Sequence, residues 1–258
     1  MSLIKSELRK VLYVRANWGI LLASVVISII SVVITPFIFE AGNVGGGLTL
    51  DSPQAIDAVY ANAISGYIFV IILGIMLMAG EYRHGTAVAT FLARPKREIV
   101  LAAKLGIGAI VGAVFMLISV WASLLAGIIV LAGFENAAAP SSGTFLNLTI
   151  AGLISGAILA IIGVAIGALL KSQMLAIVFS LVYLFVIDPL LLVLWVDIAK
   201  YLPGGLITAM TAIDIDAPEF GIDTANYLDP IQATLVLLGY GAVFALTSLV
   251  TSMRRDVE

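Results

Sequence analysis

Residues 136–170 read NAAAPSSGTFLNLTIAGLISGAILAIIGVAIGALL, 35 positions without an Asp, Glu, Lys or Arg. A charge at the centre of a spanning helix costs about 2.5–3.5 kcal/mol, so a run this long marks a bilayer. At a rise of about 1.5 Å per residue, about 20 residues cross a hydrocarbon core of about 30 Å. Four more runs are as clean: 16–39, 58–80, 105–134 and 230–253. Residues 172–187 are uncharged too, and are followed by Asp188-Pro189 and the apolar run 190–196. Read as a span broken or ended near Asp188, this region brings the total to six. A transmembrane barrel would alternate apolar and polar positions over segments of about 10 residues. These runs are apolar throughout, so the spans are helices.

The composition agrees. Of 258 residues, 62% are apolar and 11% charged, and the mean hydropathy is +1.16. Soluble domains hold about 45–50% apolar and about 25% charged residues. A water-soluble enzyme, a disordered chain and a collagen-like chain are excluded. The fold class expected is an all-α integral membrane protein, a single transmembrane domain over 1–258. Its spans lie at about 16–39, 58–80, 105–134, 146–170, 172–196 and 230–253.

Orientation follows from Lys and Arg, which collect on the cytoplasmic side. With both termini inside, that side holds 12 of the 13 bases; Lys200 alone lies outside. An odd number of spans would break this separation. The expected location is the plasma membrane, crossed several times, with both termini cytoplasmic. Gly108 and Gly112, Gly152 and Gly156, and Gly163 and Gly167 are pairs spaced by four. Small residues so placed let helix backbones approach closely.

The chain lacks the residues most catalytic chemistries need. It has no cysteine, which removes disulfides and Cys-ligated metal sites. His84 is its single histidine. The intramembrane serines Ser24, Ser28, Ser119, Ser123 and Ser155 have no His or Lys near them in sequence to activate them. No G-x-x-x-x-G-K-[ST] run is present to cradle phosphates. No catalytic, cofactor-binding or metal residue is assigned, the chain is not expected to be an enzyme, and no nucleic-acid partner is expected.

Four pieces lie outside the clean runs. In residues 1–15, Ile4, Leu8, Val11 and Leu12 form an apolar stripe interrupted by Glu7 and Arg15. This segment reads either as a basic stop that sets orientation or as an elbow helix along the inner leaflet. Between the first two spans, Ser52 before Pro53 reads as the N-cap of a helix leading into the second span. The outer segment 197–229 reads as irregular. Its Asp214, Asp216 and Glu219 hint at a calcium loop but lack the glycine and glutamate that such a loop needs, which favours a solvated acidic face. Asp188 lies 16 residues beyond Ser172, about 24 Å at helical rise, near the outer boundary. It reads either as a hydrated helix-break residue or as the polar lining of an outward-facing substrate path.

The loop at 81–98 follows the second span. Gly85 can break that helix, Thr86 can cap a short helix to about Leu92, and Pro95 ends it. Such a knob suits docking by a soluble partner; the alternative is a plain basic connector. The run E-x-x-x-G-T-x-x-x-x-x-L-x-x-P from Glu81 to Pro95, followed by Arg97 and Lys104, resembles the permease subunits of ABC transporters of the type-2 export class, also called type V exporters.

The resemblance spans the whole chain, and it implies a division of labour. A separate ABC ATPase subunit would bind ATP and Mg. It would dock on a coupling helix around Glu81, Tyr82, Arg83, His84, Gly85, Thr86 and Leu92, beside the N-terminal elbow helix. A second permease copy would complete a homodimer embedded in membrane lipid. The cargo would be hydrophobic or amphipathic (a lipid, drug or peptide) and would move out of the cytoplasm past the inner faces of spans one, two and five. The competing readings are a freestanding ion-coupled carrier and an intramembrane enzyme. The first is weakened by the lack of mid-membrane charge, the second by the absence of clustered catalytic groups.

Overall fold

A computed structural model describes residues 3–41, 49–86, 92, 97–135, 137–213, 216–217, 222–223 and 227–254. Helix α1 (Leu3–Tyr13) is followed after one residue by α2 (Arg15–Glu40). Next come α3 (Pro53–Ala61), a 3-10 turn (Asn62–Ile64) and α4 (Tyr67–Arg83). Helices α5 (Arg97–Leu131) and α6 (Thr144–Leu170) are long and unbroken. Then α7 (Gln173–Val182) runs through a π-helical turn (Tyr183–Ile187) into α8 (Asp188–Leu194). The segment before the last span holds α9 (Val196–Ala199), α10 (Pro203–Met210) and a two-residue antiparallel pair, β1 (Asp216–Ala217) with β2 (Ile222–Asp223). Helix α11 (Pro230–Arg254) closes the chain.

Six segments are long and apolar enough to cross a membrane: Arg15–Glu40, Pro53–Arg83, Glu98–Leu131, Thr144–Leu170, Gln173–Leu191 and Pro230–Thr251. The protein is therefore an all-α multi-pass membrane protein. Its outer surface carries Leu22, Ile34, Leu125, Phe185, Leu235 and Leu246, all exposed. An apolar exterior of this extent needs lipid, not water, against it.

Helix α6 is the hub, packed on α4 and α5 along its length. Glycines make that packing possible. A methyl group at Gly163 would collide with the Ile71 carbonyl of α4, and one at Gly74 with the Ala160 carbonyl of α6. Gly112 of α5 and Gly156 of α6 face each other in the same way, each against the other's carbonyl oxygen. Lipid is as apolar as leucine, so this close dispersion contact is what holds the helices together. Helices α6 and α7 are joined by two residues. Lys171 takes a left-handed conformation (φ 52°), and Ser172 caps α7 by accepting from the Leu175 backbone N–H at 3.4 Å.

The second span is interrupted at 62–66, where a 3-10 turn and two turn residues replace α-helix. Backbone groups freed there cannot be left bare inside a bilayer. Four of the five intramembrane serines serve this break. Ser28 Oγ accepts from the Gly66 N–H at 2.9 Å, and Ser24 Oγ reaches the Gly66 carbonyl at 3.2 Å and Ser119 Oγ at 2.7 Å. Ser123 Oγ donates to the Ala63 carbonyl at 3.4 Å. At the same end, buried Asp57 of α3 accepts from the Ser141 N–H (2.9 Å) and from Thr144 Oγ1 (2.8 Å), and so pins the start of α6. Ser52 caps α3, accepting from the Ala55 N–H at 3.3 Å, with Pro53 in the first turn.

Candidate functional site

Two sites lie at opposite ends of α4. The first surrounds Glu81 at its last turn. Of the apolar stripe of α1 only Val11 meets the bundle: Ile4, Leu8 and Leu12 are exposed, while Glu7 is buried beside Val11. Glu7, which interrupts the stripe in sequence, is thus the point of attachment. Lys104 of α5 is 2% exposed, and its Nζ donates to Glu7 Oε2 at 2.6 Å, Glu81 Oε1 at 2.9 Å and the Leu77 carbonyl at 3.1 Å. Lys10, half-exposed, donates to Glu7 Oε1 at 2.6 Å and Glu81 Oε1 at 2.7 Å. Two carboxylates and two ammonium groups from three helices thus form one neutral cluster. Glu81 Oε2 is buried without a hydrogen-bond partner.

The electrostatics hold α1 in place. Burial works to raise the Glu7 pKa, but the Lys104 charge and hydrogen bonds from Lys10 and Lys104 outweigh it and leave the carboxyl below its ordinary value. Burial works to lower Lys10, but its bonds to Glu7 and Glu81 carry it above the ordinary lysine value. The turn from α1 to α2 is fixed separately. Asn17 Nδ2 donates to the Val11 carbonyl at 2.9 Å, and Trp18 Nε1 to the Leu12 carbonyl at 2.8 Å. These carbonyls, at the C-terminal end of α1, have no N–H donor within their own helix.

Of the residues expected around the loop, Glu81 turns inward and is buried, and Tyr82 is half-buried. Arg83, His84, Gly85 and Thr86 are exposed, as is Leu92. Gly85 has a positive φ of 67°, and the α-helix α4 ends at Arg83 just before it. Residues 87–91 and 93–96, which hold the rest of the expected coupling helix and Pro95, lie outside the described residues, as do Asp214 and Glu219 of the acidic segment. Sequence reasoning missed Glu7, Lys10 and Lys104 as a unit with Glu81. The signal available was a Glu inside an apolar stripe and a Lys seven residues into α5.

The second site is a chamber of about 280 Å³ at the other end of α4. One wall comes from the break in the second span (Asn62, Ser65, Tyr67), the other from α8 and α10 (Asp188, Gly204, Thr208). Asp188, at the π turn, is 9% exposed. Its carboxylate draws on the Gly204 backbone amide at the start of α10, and Oδ2 is the oxygen nearest that glycine. A methyl group at position 204 would collide with it. Oδ1 has no hydrogen-bond partner.

Among the described residues no group of three or more His, Cys, Asp or Glu could hold a metal. Compared with known proteins, the chain matches the family model described as ABC-2 family transporter protein over residues 3–187. No individual curated protein matches it. That match takes in α1, the ion cluster, the loop after the second span and the fifth span up to the residue before Asp188. The chain belongs to the ABC-2 family of transporter proteins: it is a permease, the membrane component of an ABC transporter, and the family implies an ABC ATPase as its partner.

Proposed function

We propose that this permease exports a hydrophobic or amphipathic cargo from the cytoplasm across the plasma membrane. Both termini face the cytoplasm. Two copies form a homodimer, and each is gripped by an ATPase subunit that carries the ATP and Mg. The grip falls on Arg83, His84, Gly85, Thr86 and Leu92, the exposed positions among the described residues of the 81–92 loop. Glu81 acts beneath that surface: with Lys104 it clamps the loop's root to α1 and α5, so that a push on the loop is a push on three helices.

The observation that carries this reading is the four-residue ion cluster. A cluster that removes two carboxylates and a lysine from water is expensive unless its geometry is good. Here it joins the N-terminal helix to the root of the loop that the family resemblance assigns to the motor.

The test is co-purification of the chain with its ATPase, followed by ATP hydrolysis and vesicle transport. Removing residues 85–86 is expected to leave membrane insertion and α1 docking intact while cargo-stimulated hydrolysis falls by about tenfold or more. Stimulation that survives this deletion removes the loop from the coupling role. ATP-independent uptake driven by an ion gradient would instead identify a freestanding carrier.

A further inference from the structure

We propose that the Asp188 chamber receives a singly charged ammonium head and the apolar cavity beside it receives the tail of the same molecule. The cargo class is then cationic amphiphiles. Calling this molecule cargo rests on the export reading above; the binding site rests on geometry alone.

The charge of the chamber is uncompensated. Asp188 is 9% exposed, and none of the ion pairs among the described residues includes it. Lys200, the base nearest to it in sequence, is engaged elsewhere, 3.9 Å from Asp197 and 5.6 Å over the Tyr201 ring. One carboxylate oxygen is served by the Gly204 amide and Oδ1 by nothing. Ionisable groups within membrane spans are costly and characteristically sit on substrate or ion pathways. Serving α10 explains one oxygen of Asp188 and leaves the other idle.

The surrounding chemistry selects the ligand. The walls offer the oxygens of Asn62, Ser65, Tyr67, Thr208 and Thr211, acceptors for the N–H groups of an ammonium. A carboxylate repels an anion. A lone carboxylate is a poor cage for a divalent metal, which takes several oxygen ligands, charged ones among them. A single positive charge balances the site.

The second cavity extends the site in one direction. It has a volume of about 320 Å³ and is walled by Ile71, Leu159, Ile162, Phe179 and Phe244 among others. Leu184 borders both cavities, and Pro203 of the second is bonded to Gly204 of the first. Phe179 is also exposed on the outer surface of the fifth span, so this cavity lies beside lipid. A polar recess holding a carboxylate, with an apolar one on the other side of Leu184, matches a molecule with a cationic head and an apolar body. Each volume is near the lower end for small-molecule sites, about 300 Å³.

The test uses the full chain in nanodiscs of neutral phosphatidylcholine, with tritiated dodecylammonium as the probe. Expected are a saturable binding component and its loss by about tenfold or more in Asp188→Asn, since a hydrogen bond to a charged group is removed. Dodecanol, of the same length but neutral, is expected to show no saturable component. Leu184→Trp, which alters the shared wall, is expected to weaken dodecylammonium more than methylammonium. If Asp188→Asn fails to fold, Leu184→Trp and a series of alkylammonium chain lengths still decide the matter.

Equal saturable binding of dodecanol, or wild-type affinity in folded Asp188→Asn, overturns the proposal. Displacement by sodium with no dependence on chain length also overturns it, in favour of an inorganic cation site. Binding as expected, with no effect on ATP hydrolysis in the co-purified complex, leaves the site standing and removes the assignment of this molecule as cargo. Intact coupling with unchanged binding in Asp188→Asn does the reverse.

Discussion

Replacing Lys104 by Met tests whether the ion cluster holds α1 in place. Lys104 is 2% exposed, and its ammonium is shared by the carboxylates of Glu7 and Glu81, at 2.6 and 2.9 Å. Removing it leaves two buried carboxylates facing each other, with only the half-exposed Lys10 between them. Breaking a buried pair costs about 3–5 kcal/mol. Lys10 remains as a counter-ion, so the lower end applies, about 3 kcal/mol, or about a hundredfold in an equilibrium. The cheapest relief is for α1 to leave, because undocking returns Glu7 to water and separates the two charges.

The chain has no cysteine, so Val11→Cys gives a clean reporter on the docked face, where Val11 is buried. Maleimide labelling at that position is expected to accelerate by about a hundredfold on adding Lys104→Met. The charge-balanced double variant Glu7→Gln/Lys104→Met, which keeps the Lys10–Glu81 pair, is expected to recover most of the protection. Unchanged labelling in Lys104→Met, or equal labelling in the single and double variants, would refute the reasoning. In the first case α1 is held by packing alone; in the second, charge imbalance is not what releases it.

Gly163→Ala drives a methyl group into the Ile71 carbonyl, and neither backbone can yield without parting α4 from α6. A loss of about 2–3 kcal/mol is expected as a fall in Tm in detergent, whereas Gly239→Ala, which meets nothing within 4 Å, is expected to be neutral or stabilising. Ser28→Ala leaves the buried Gly66 N–H without its 2.9 Å acceptor, at an expected cost of about 1–2 kcal/mol by the same measurement; no change would mean that water replaces the hydroxyl. Docking of α1 is also expected to depend on pH only at the extremes. Glu7 is held below its ordinary 4.5, so its contribution is complete above that value and is lost as the pH falls through the lowered pKa. Lys10 is held above its ordinary 10.5, so its contribution is complete below that value and fades as the pH rises through the raised pKa. A nitroxide on Val11→Cys, on the docked face, is expected to stay immobile between those limits and to loosen beyond each; loosening near neutrality would contradict the assignment.

The architecture was legible because the bilayer imposes one coarse requirement, long runs without charge, and 16–39, 58–80 and 136–170 satisfy it openly. Glycine spacing was legible for the same reason: close approach in lipid leaves few alternatives to small residues, and Gly112 against Gly156 is what the spacing expects. Less legible was where polar groups go once they are inside. Ser24, Ser28, Ser119 and Ser123 belong to two different helices, and their partners belong to a break in the chain at 62–66, a tertiary relation with no local signature. The start of α5 at Arg97 instead of 105 has a similar cause. Charges end a transmembrane run in sequence but need not end a helix, and Lys104 continues inside because Glu7 and Glu81 neutralise it. Asp188 was visible as an oddity; that one of its oxygens would face the amide of Gly204 was not, since the contact depends on how α10 folds back.

Helix α4 connects the two sites. Its 17 residues run from Tyr67, in the chamber wall, to the turn of Glu81 in the ion cluster, about 24 Å at helical rise. Along that length Gly74 sits against Gly163, and α6 in turn meets α5 at Gly112 and Gly156, so α4, α5 and α6 touch backbone to backbone. Bodies packed this closely do not deform continuously; they shift as units. The opposite chamber wall is built differently. It follows a two-residue turn after α6 and a π-helical turn, an interruption often found at functional sites, and it holds Asp188 against α10 by one amide. A displacement applied at 83–86 would therefore reach the Tyr67 side of the chamber along one closely packed body, and the Asp188 side only through the contacts of α7 with α4 and of α10 and α11 with α6.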